Sequence, residues 1–221
     1  MTQTPSEEGR DILHVLDKYF PKHFDGKTSI QWLHKHTTQK RQDEWAAFFF
    51  EEYCFPLLIK FLGGWKGPRI TNNKRFDYQR EYVWDLKLEA VRDIKGTASN
   101  WILLNDIKST KRVIELESGI GYVIAVVDFS YDMDGKLRTW REKFEEKEGS
   151  SNTRARTLKK NGQVIDLKAI FIKNTTQIEK GLKDGWIDIF KQGRNSDGSD
   201  REPKYKINRN KIPKEFMIDL K

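Results

Sequence analysis

The sequence predicts an α/β fold with an open, mixed sheet flanked by helices, and three observations carry that expectation. Apolar residues recur at helical spacing through the first sixty residues. From Tyr82 to Glu89 the pattern changes to strict alternation, the period of a strand. The run 121–129, GYVIAVVDF, is then continuously apolar, as in a central strand covered on both faces. With 221 residues the chain is long enough for one sizeable core.

Ile12, Leu13, Leu16, Tyr19 and Phe20 follow acidic Glu7 and Glu8, which favour a helix N-terminus. A second helix is expected from about Gln42 to Leu62 with Trp45, Phe48, Phe49, Tyr53, Leu57 and Leu58 on its apolar face, bent or divided at Pro56. Gly63, Gly64, Gly67 and Pro68 end it. In the strand that follows, Trp84, Leu86 and Leu88 share one face, and Asp85, Lys87 and Glu89 project from the other. Residues 100–106 read as another strand, Ile107 to Glu117 as a helix, LRTWREKFEEKE as a helix, 164–172 as a strand, and TQIEKGLKDGWIDIFKQG as a final helix. The expected division is a helical segment over 1–40 offering a dimer contact, a core over 41–193, and a basic arm over 194–221 that orders on a partner.

Forty-one Lys and Arg against 33 Asp and Glu leave a formal charge of +8, so an anionic polymer is the first partner to consider. The single cysteine, Cys54, excludes an intramolecular disulfide framework and a cysteine-rich zinc site. Neither a secretory start nor an apolar window of about 18 residues occurs, so a cytoplasmic protein without a membrane partner is expected. All four histidines fall in the first forty residues, and His34-Lys35-His36 has no partner at metal-ligand spacing. No glycine-rich phosphate loop is present, so no nucleotide cofactor is expected.

The chemistry concentrates in Arg75-Phe76-Asp77 and Asp85-Leu86-Lys87, with seven residues between the two aspartates. A hairpin of that length brings both carboxylates towards one divalent cation, with Lys87 on the same face. Hard oxygen donors with room for water suit magnesium, which can activate water at a phosphodiester. Lys87 would orient or help deprotonate that water and stabilise the crowded phosphorus. The bland reading is a charged strand face whose pairs contribute up to ~1 kcal/mol. The hairpin's place between an aromatic helix and a buried strand, in a basic chain, favours the catalytic one.

This spacing of Asp and Asp-x-Lys on a hairpin, with the helix, three strands, helix, strand around it, resembles the PD-(D/E)xK nuclease superfamily. VWDLK, ILLND, GYVIAVVDFSYD, the Trp-containing charged helix and the Ser/Arg/Lys-rich loop resemble type II restriction endonucleases over roughly residues 41–173. The resemblance implies a restriction-endonuclease-like core and a magnesium-dependent endonuclease, a homodimer that cuts double-stranded DNA at a short palindrome. It makes Asp77 and Asp85 the metal ligands and Lys87 the catalytic lysine, with Phe76 where the family often has proline. An acidic residue from the preceding helix often joins such a site, here Glu51 ahead of Glu52. Asn105 and Asp106 end a neighbouring strand, Asp106 also standing where an N-cap belongs. Arg154, Arg156, Lys159 and Lys160 form the expected DNA-contacting loop, able to neutralise phosphates or read guanine. The competing classes are a non-catalytic nucleic-acid-binding protein and a structure-selective repair or recombination nuclease.

Overall fold

Thr4 starts the first helix by a reciprocal cap: its side chain accepts from the Glu7 N–H, and the Glu7 carboxylate accepts from the Thr4 N–H. The computed structural model describes residues 3–38, 44–70, 76–145, 157–195 and 197–220. In chain order the elements are α1 (Pro5–Tyr19), β1 (His23–Asp25), α2 (Gly26–His36), α3 (Trp45–Leu62), β2 (Tyr78–Gln79), β3 (Val83–Ala90), β4 (Trp101–Asp106), α4 (Ile107–Leu116) and β5 (Ile120–Tyr131). They continue with α5 (Lys136–Phe144), β6 (Lys159–Ile172), α6 (Thr175–Asp184), β7 (Ile187–Phe190), β8 (Lys204–Asn208), a 3-10 turn (Lys214–Phe216) and β9 (Met217–Ile218). No helix among the described residues is long and apolar enough to cross a membrane.

The fold is mixed α/β. Its larger sheet runs β1-β6-β5-β3-β2, with β9 on β6, and only β3 and β5 are parallel. Alternation along β5 feeds two cores. Val123, Ala125, Val127 and Phe129 join a cluster with α1, α2 and α3, while Ile120, Tyr122, Ile124 and Val126 join one with α4, α6 and the C-terminal strands. Trp84, Leu86 and Leu88 face the first cluster, as the alternation predicts, so Asp85 and Lys87 point away from that cluster.

Trp84 is fully buried because two glycines leave it room. A Cβ on Gly121 would lie 2.1 Å from Trp84 Cε3, and one on Gly9 would lie 2.8 Å from its Cη2. Its Nε1–H donates to the buried Glu8 carboxylate at 2.8 Å, and the Glu81 and Tyr82 N–H groups donate to the same carboxylate. Glu8 therefore ties α1 to the start of β3; burial raises its pKa, and these donors hold it back.

Several expectations are corrected. α3 is not divided at Pro56, because Phe49, Phe50, Cys54 and Leu58 on both sides of it pack into one cluster that outweighs the lost helical hydrogen bond. β4 does not extend the large sheet; it pairs with β8 in a second, antiparallel sheet ordered β4-β8-β7. The expected final helix stops at Gly185, whose φ of 73° ends α6, and Ile187–Phe190 continue as a strand. The tail is no arm apart from the fold: Tyr205, Ile207, Ile212, Phe216 and Ile218 are buried, and β9 pairs with β6. The aromatic residues of the N-terminal helices pack against each other, Phe20 on Phe24, Phe50 and Tyr53.

Candidate active site

β2 and β3 pair with Tyr78 opposite Trp84 and Gln79 opposite Val83, and the same register continued by one residue sets Asp77 across from Asp85. The Leu86 N–H donates to Asp77 Oδ2 at 2.7 Å, fixing that carboxylate against β3. Asp85 is 1% exposed; its Oδ1 accepts from Asn105 Nδ2 at 3.3 Å, and its Oδ2 lies 2.5 Å from Lys87 Nζ. Asp77, Asp85, Lys87 and Asn105 all line a cleft of about 610 Å³. Glu51, Glu52 and Lys66 line it too, with Lys66 Nζ 3.2 Å from Glu52 Oε1. The sequence reading placed one of the two glutamates here; the α3 backbone brings both.

The cluster is electrostatically tense. Burial raises the Asp77 pKa well above the ordinary carboxylate range, and Asp85 and Glu51 raise it further while Lys87 opposes them. Burial also pushes Glu51 up to about 7, opposed by Lys87 and reinforced by Asp85 and Glu52. On the Lys87 ammonium burial acts downward, but Asp85, Asp77 and Glu51 outweigh it and hold the pKa above its ordinary value. Lys87 is therefore a cation here, suited to stabilising negative charge rather than to accepting a proton. Glu89, next on the same face, is pushed by burial to about 7 against the opposing Lys159 charge and Leu103 N–H.

These shifts set a pH dependence of stability. Glu51 and Glu89 have ordinary values near 4.5, so between about 4.5 and about 7 the folded chain binds more protons than the unfolded one. Without divalent cations, stability should fall as the pH rises through that window, by about 1–3 kcal/mol for each group. Urea midpoints across the window, for the wild type and Glu51→Gln, check this. The variant should show a shallower fall, and an equal slope would contradict the placement of Glu51.

Carboxylate and amide oxygens at a cleft are donors for a hard divalent cation. Among the described residues no three His, Cys, Asp or Glu side chains form a ready coordinating group. The residues present fit a cation held by Asp77 and Asp85 and completed by water, and such a charge would relieve the repulsion among the three carboxylates.

Of the expected DNA-contacting residues, Arg154 and Arg156 lie outside the described residues. Lys159 and Lys160 are not in a loop but begin β6, paired with β5. They do not line the cleft: Lys159 Nζ lies 2.8 Å from Glu44 Oε2 and Lys160 Nζ 3.3 Å from Asp134 Oδ1. Asp128 lies within β5, does not line the cleft, and pairs with Arg92 at 2.9 Å.

What sequence reasoning missed is the share of the cleft that the β7–β8 region lines. Gln192, Asn195, Asp200, Arg201 and Glu202 come from the connection between β7 and β8, and Lys204 from the start of β8. Its base is pinned beside the site: Lys204 pairs with Asp106, and the Pro203 carbonyl accepts from the Ile107 N–H at 3.0 Å. Asp106 also caps α4 through the Ser109 N–H at 2.8 Å. The amide- and arginine-rich composition of 192–201 was the available signal, but nothing local indicates where that segment docks. Comparison of the chain with family models, with curated proteins and with solved structures finds no match.

Proposed function

We propose that the protein is a magnesium-dependent endonuclease of double-stranded DNA, with the site-specific action that its resemblance to type II restriction endonucleases implies. The convergence of Asp77, Asp85 and Lys87 on one cleft, with Glu51 arriving from the preceding helix, is the observation that carries this reading. Asp77 and Asp85 would hold the cation. When bound, magnesium supplies a Lewis acid for the phosphate and lowers the pKa of a water ligand.

The chain's own groups do the rest. Lys87, charged among its carboxylates, stabilises negative charge that builds on the phosphoryl oxygens. Glu51, with a carboxyl near 7, is able to accept the proton of the attacking water near neutral pH. The Asn105 amide holds the Asp85 carboxylate in place. A surplus of eight positive charges across the chain draws the polyanion in. Cutting both strands of a palindrome takes two such sites, so a twofold homodimer belongs to the same proposal. A cytoplasmic location agrees with this substrate.

The test is incubation of unmethylated phage or plasmid DNA with the wild type and Asp85→Ala, each in magnesium and in EDTA, followed by fragment analysis. Discrete fragments are expected from the wild type in magnesium alone, with a loss on the order of 10³-fold in the variant. A smear lost in the variant would keep the nuclease and remove the sequence specificity. Intact DNA across many substrates with binding retained would favour a non-catalytic nucleic-acid-binding protein.

A further inference from the structure

The described residues of the β7–β8 connection are joined by polar contacts rather than by apolar packing. Residues 191–203 lie outside both apolar clusters, and their described side chains are mostly exposed. Their order comes from polar cross-links instead. Arg194 and Asp200 form a bridge, with Nε 3.3 Å from Oδ1. The Asn195 N–H donates to the Ser199 carbonyl at 2.8 Å, and Asn195 Nδ2 to Ser199 Oγ at 2.9 Å. Arg201 Nε donates to Asn195 Oδ1 at 3.1 Å. With little apolar area buried, the segment is a surface connection of the kind that carries binding residues on a scaffold.

We propose that this connection enters the major groove of duplex DNA held at the cleft, and that Arg201 reads a guanine edge close to the phosphate facing Asp85 and Lys87. The inference rests on the nuclease reading for its substrate and adds the element that selects sequence. Three observations support it. Arg201 and Gln192 line the same cleft as Asp85 and Lys87. The bond to Asn195 engages Nε alone, so the guanidinium is oriented while its two terminal nitrogens stay available as a fork for guanine O6 and N7. The connection also mixes its cations with Asp197, Asp200 and Glu202. Carboxylates repel a phosphate track but accept from cytosine N4, so this composition suits base edges better than the backbone. The antiparallel pair β7–β8 from which the connection projects has the width that the major groove admits.

The experiment selects duplexes from a randomised pool with the full-length protein in calcium, then tests the enriched sequences for cleavage in magnesium. The proteins are the wild type, Arg201→Ala, Arg201→Lys and Asp85→Ala. The wild type is expected to enrich a consensus containing at least one G·C pair that Arg201→Ala selects about 10- to 100-fold less well. Arg201→Lys should lose the same preference while keeping its salt dependence, because an ammonium restores the charge and not the fork. Retention of the consensus by Asp85→Ala, or binding of the consensus by a wild type that does not cut, would separate failure of the nuclease reading from failure of this one. A wild type that enriches no consensus would overturn the proposal. So would an Arg201→Ala defect that is uniform across sequences and lowers the salt slope by about one, the signature of a phosphate contact.

Discussion

Lys87→Ala is expected to lose DNA cleavage by about 10²- to 10⁴-fold and to destabilise the fold at the same time. Both effects have one origin. Lys87 Nζ stands 2.5 Å from a carboxylate that is 1% exposed, and Asp77 and Glu51 press on the same space. Removing the cation from such a cluster leaves uncompensated buried charge, a change that costs about 3 kcal/mol or more. The loss should be largest at alkaline pH and shrink as the medium is acidified, because protonation of the raised carboxyls removes the charge that Lys87 balanced. Magnesium should restore part of the stability by binding only the folded chain. Lys87→Met combined with Asp85→Asn is expected to recover most of the stability and none of the cleavage. Urea unfolding at two pH values, beside a plasmid assay, reads both quantities. Cleavage by Lys87→Ala within about threefold of the wild type would remove this lysine from the chemistry.

The second large effect is expected from Trp84→Ala, at about 4 kcal/mol, with an unchanged backbone arrangement in the second sheet. The indole fills space that Gly9 and Gly121 leave open, so the helices cannot collapse around its loss without moving α1 off the sheet. Trp84→Phe should cost less and isolate the hydrogen bond to Glu8, about 1–2 kcal/mol for a buried carboxylate left one donor short. Because Trp84 and Asp85 are adjacent on opposite faces of β3, either substitution should also disturb the site by tilting the strand. Chemical unfolding gives the first number and the plasmid assay the second. A cost below about 1 kcal/mol for Trp84→Ala would mean that this face is not the packed one.

The alternation from Tyr82 to Glu89 was legible because a strand with one buried face writes its period of two directly into the residues. It separated Trp84, Leu86 and Leu88 from Asp85 and Lys87 before any tertiary information. The spacing of Asp77 and Asp85 was legible for a similar reason, since hairpin pairing over seven intervening residues is nearly local. Helix phase was less so: Glu51 and Glu52 both reach the cleft, because the wall of α3 that faces it is wider than one residue. The stretch WIDIF was misread as helix because it continues an amphipathic pattern, and only Gly185 with its left-handed φ marks the change.

By itself the sequence determined an α/β chain with a two-faced β3, a buried β5 and a paired-acid and lysine motif, all of which depend on residues within a few positions of one another. The tertiary structure alone decided that β4 leaves the large sheet for β8, about a hundred residues away, and so brings Gln192, Asn195, Arg201 and Lys204 to the lining of the cleft. It also turned the expected basic arm into strands and placed Lys159 and Lys160 at the start of β6 with acidic partners. The physical reason is that a polar segment carries no periodic burial signal. Its position follows from backbone pairing with a distant strand, and that pairing depends on which apolar faces the rest of the chain has left to cover.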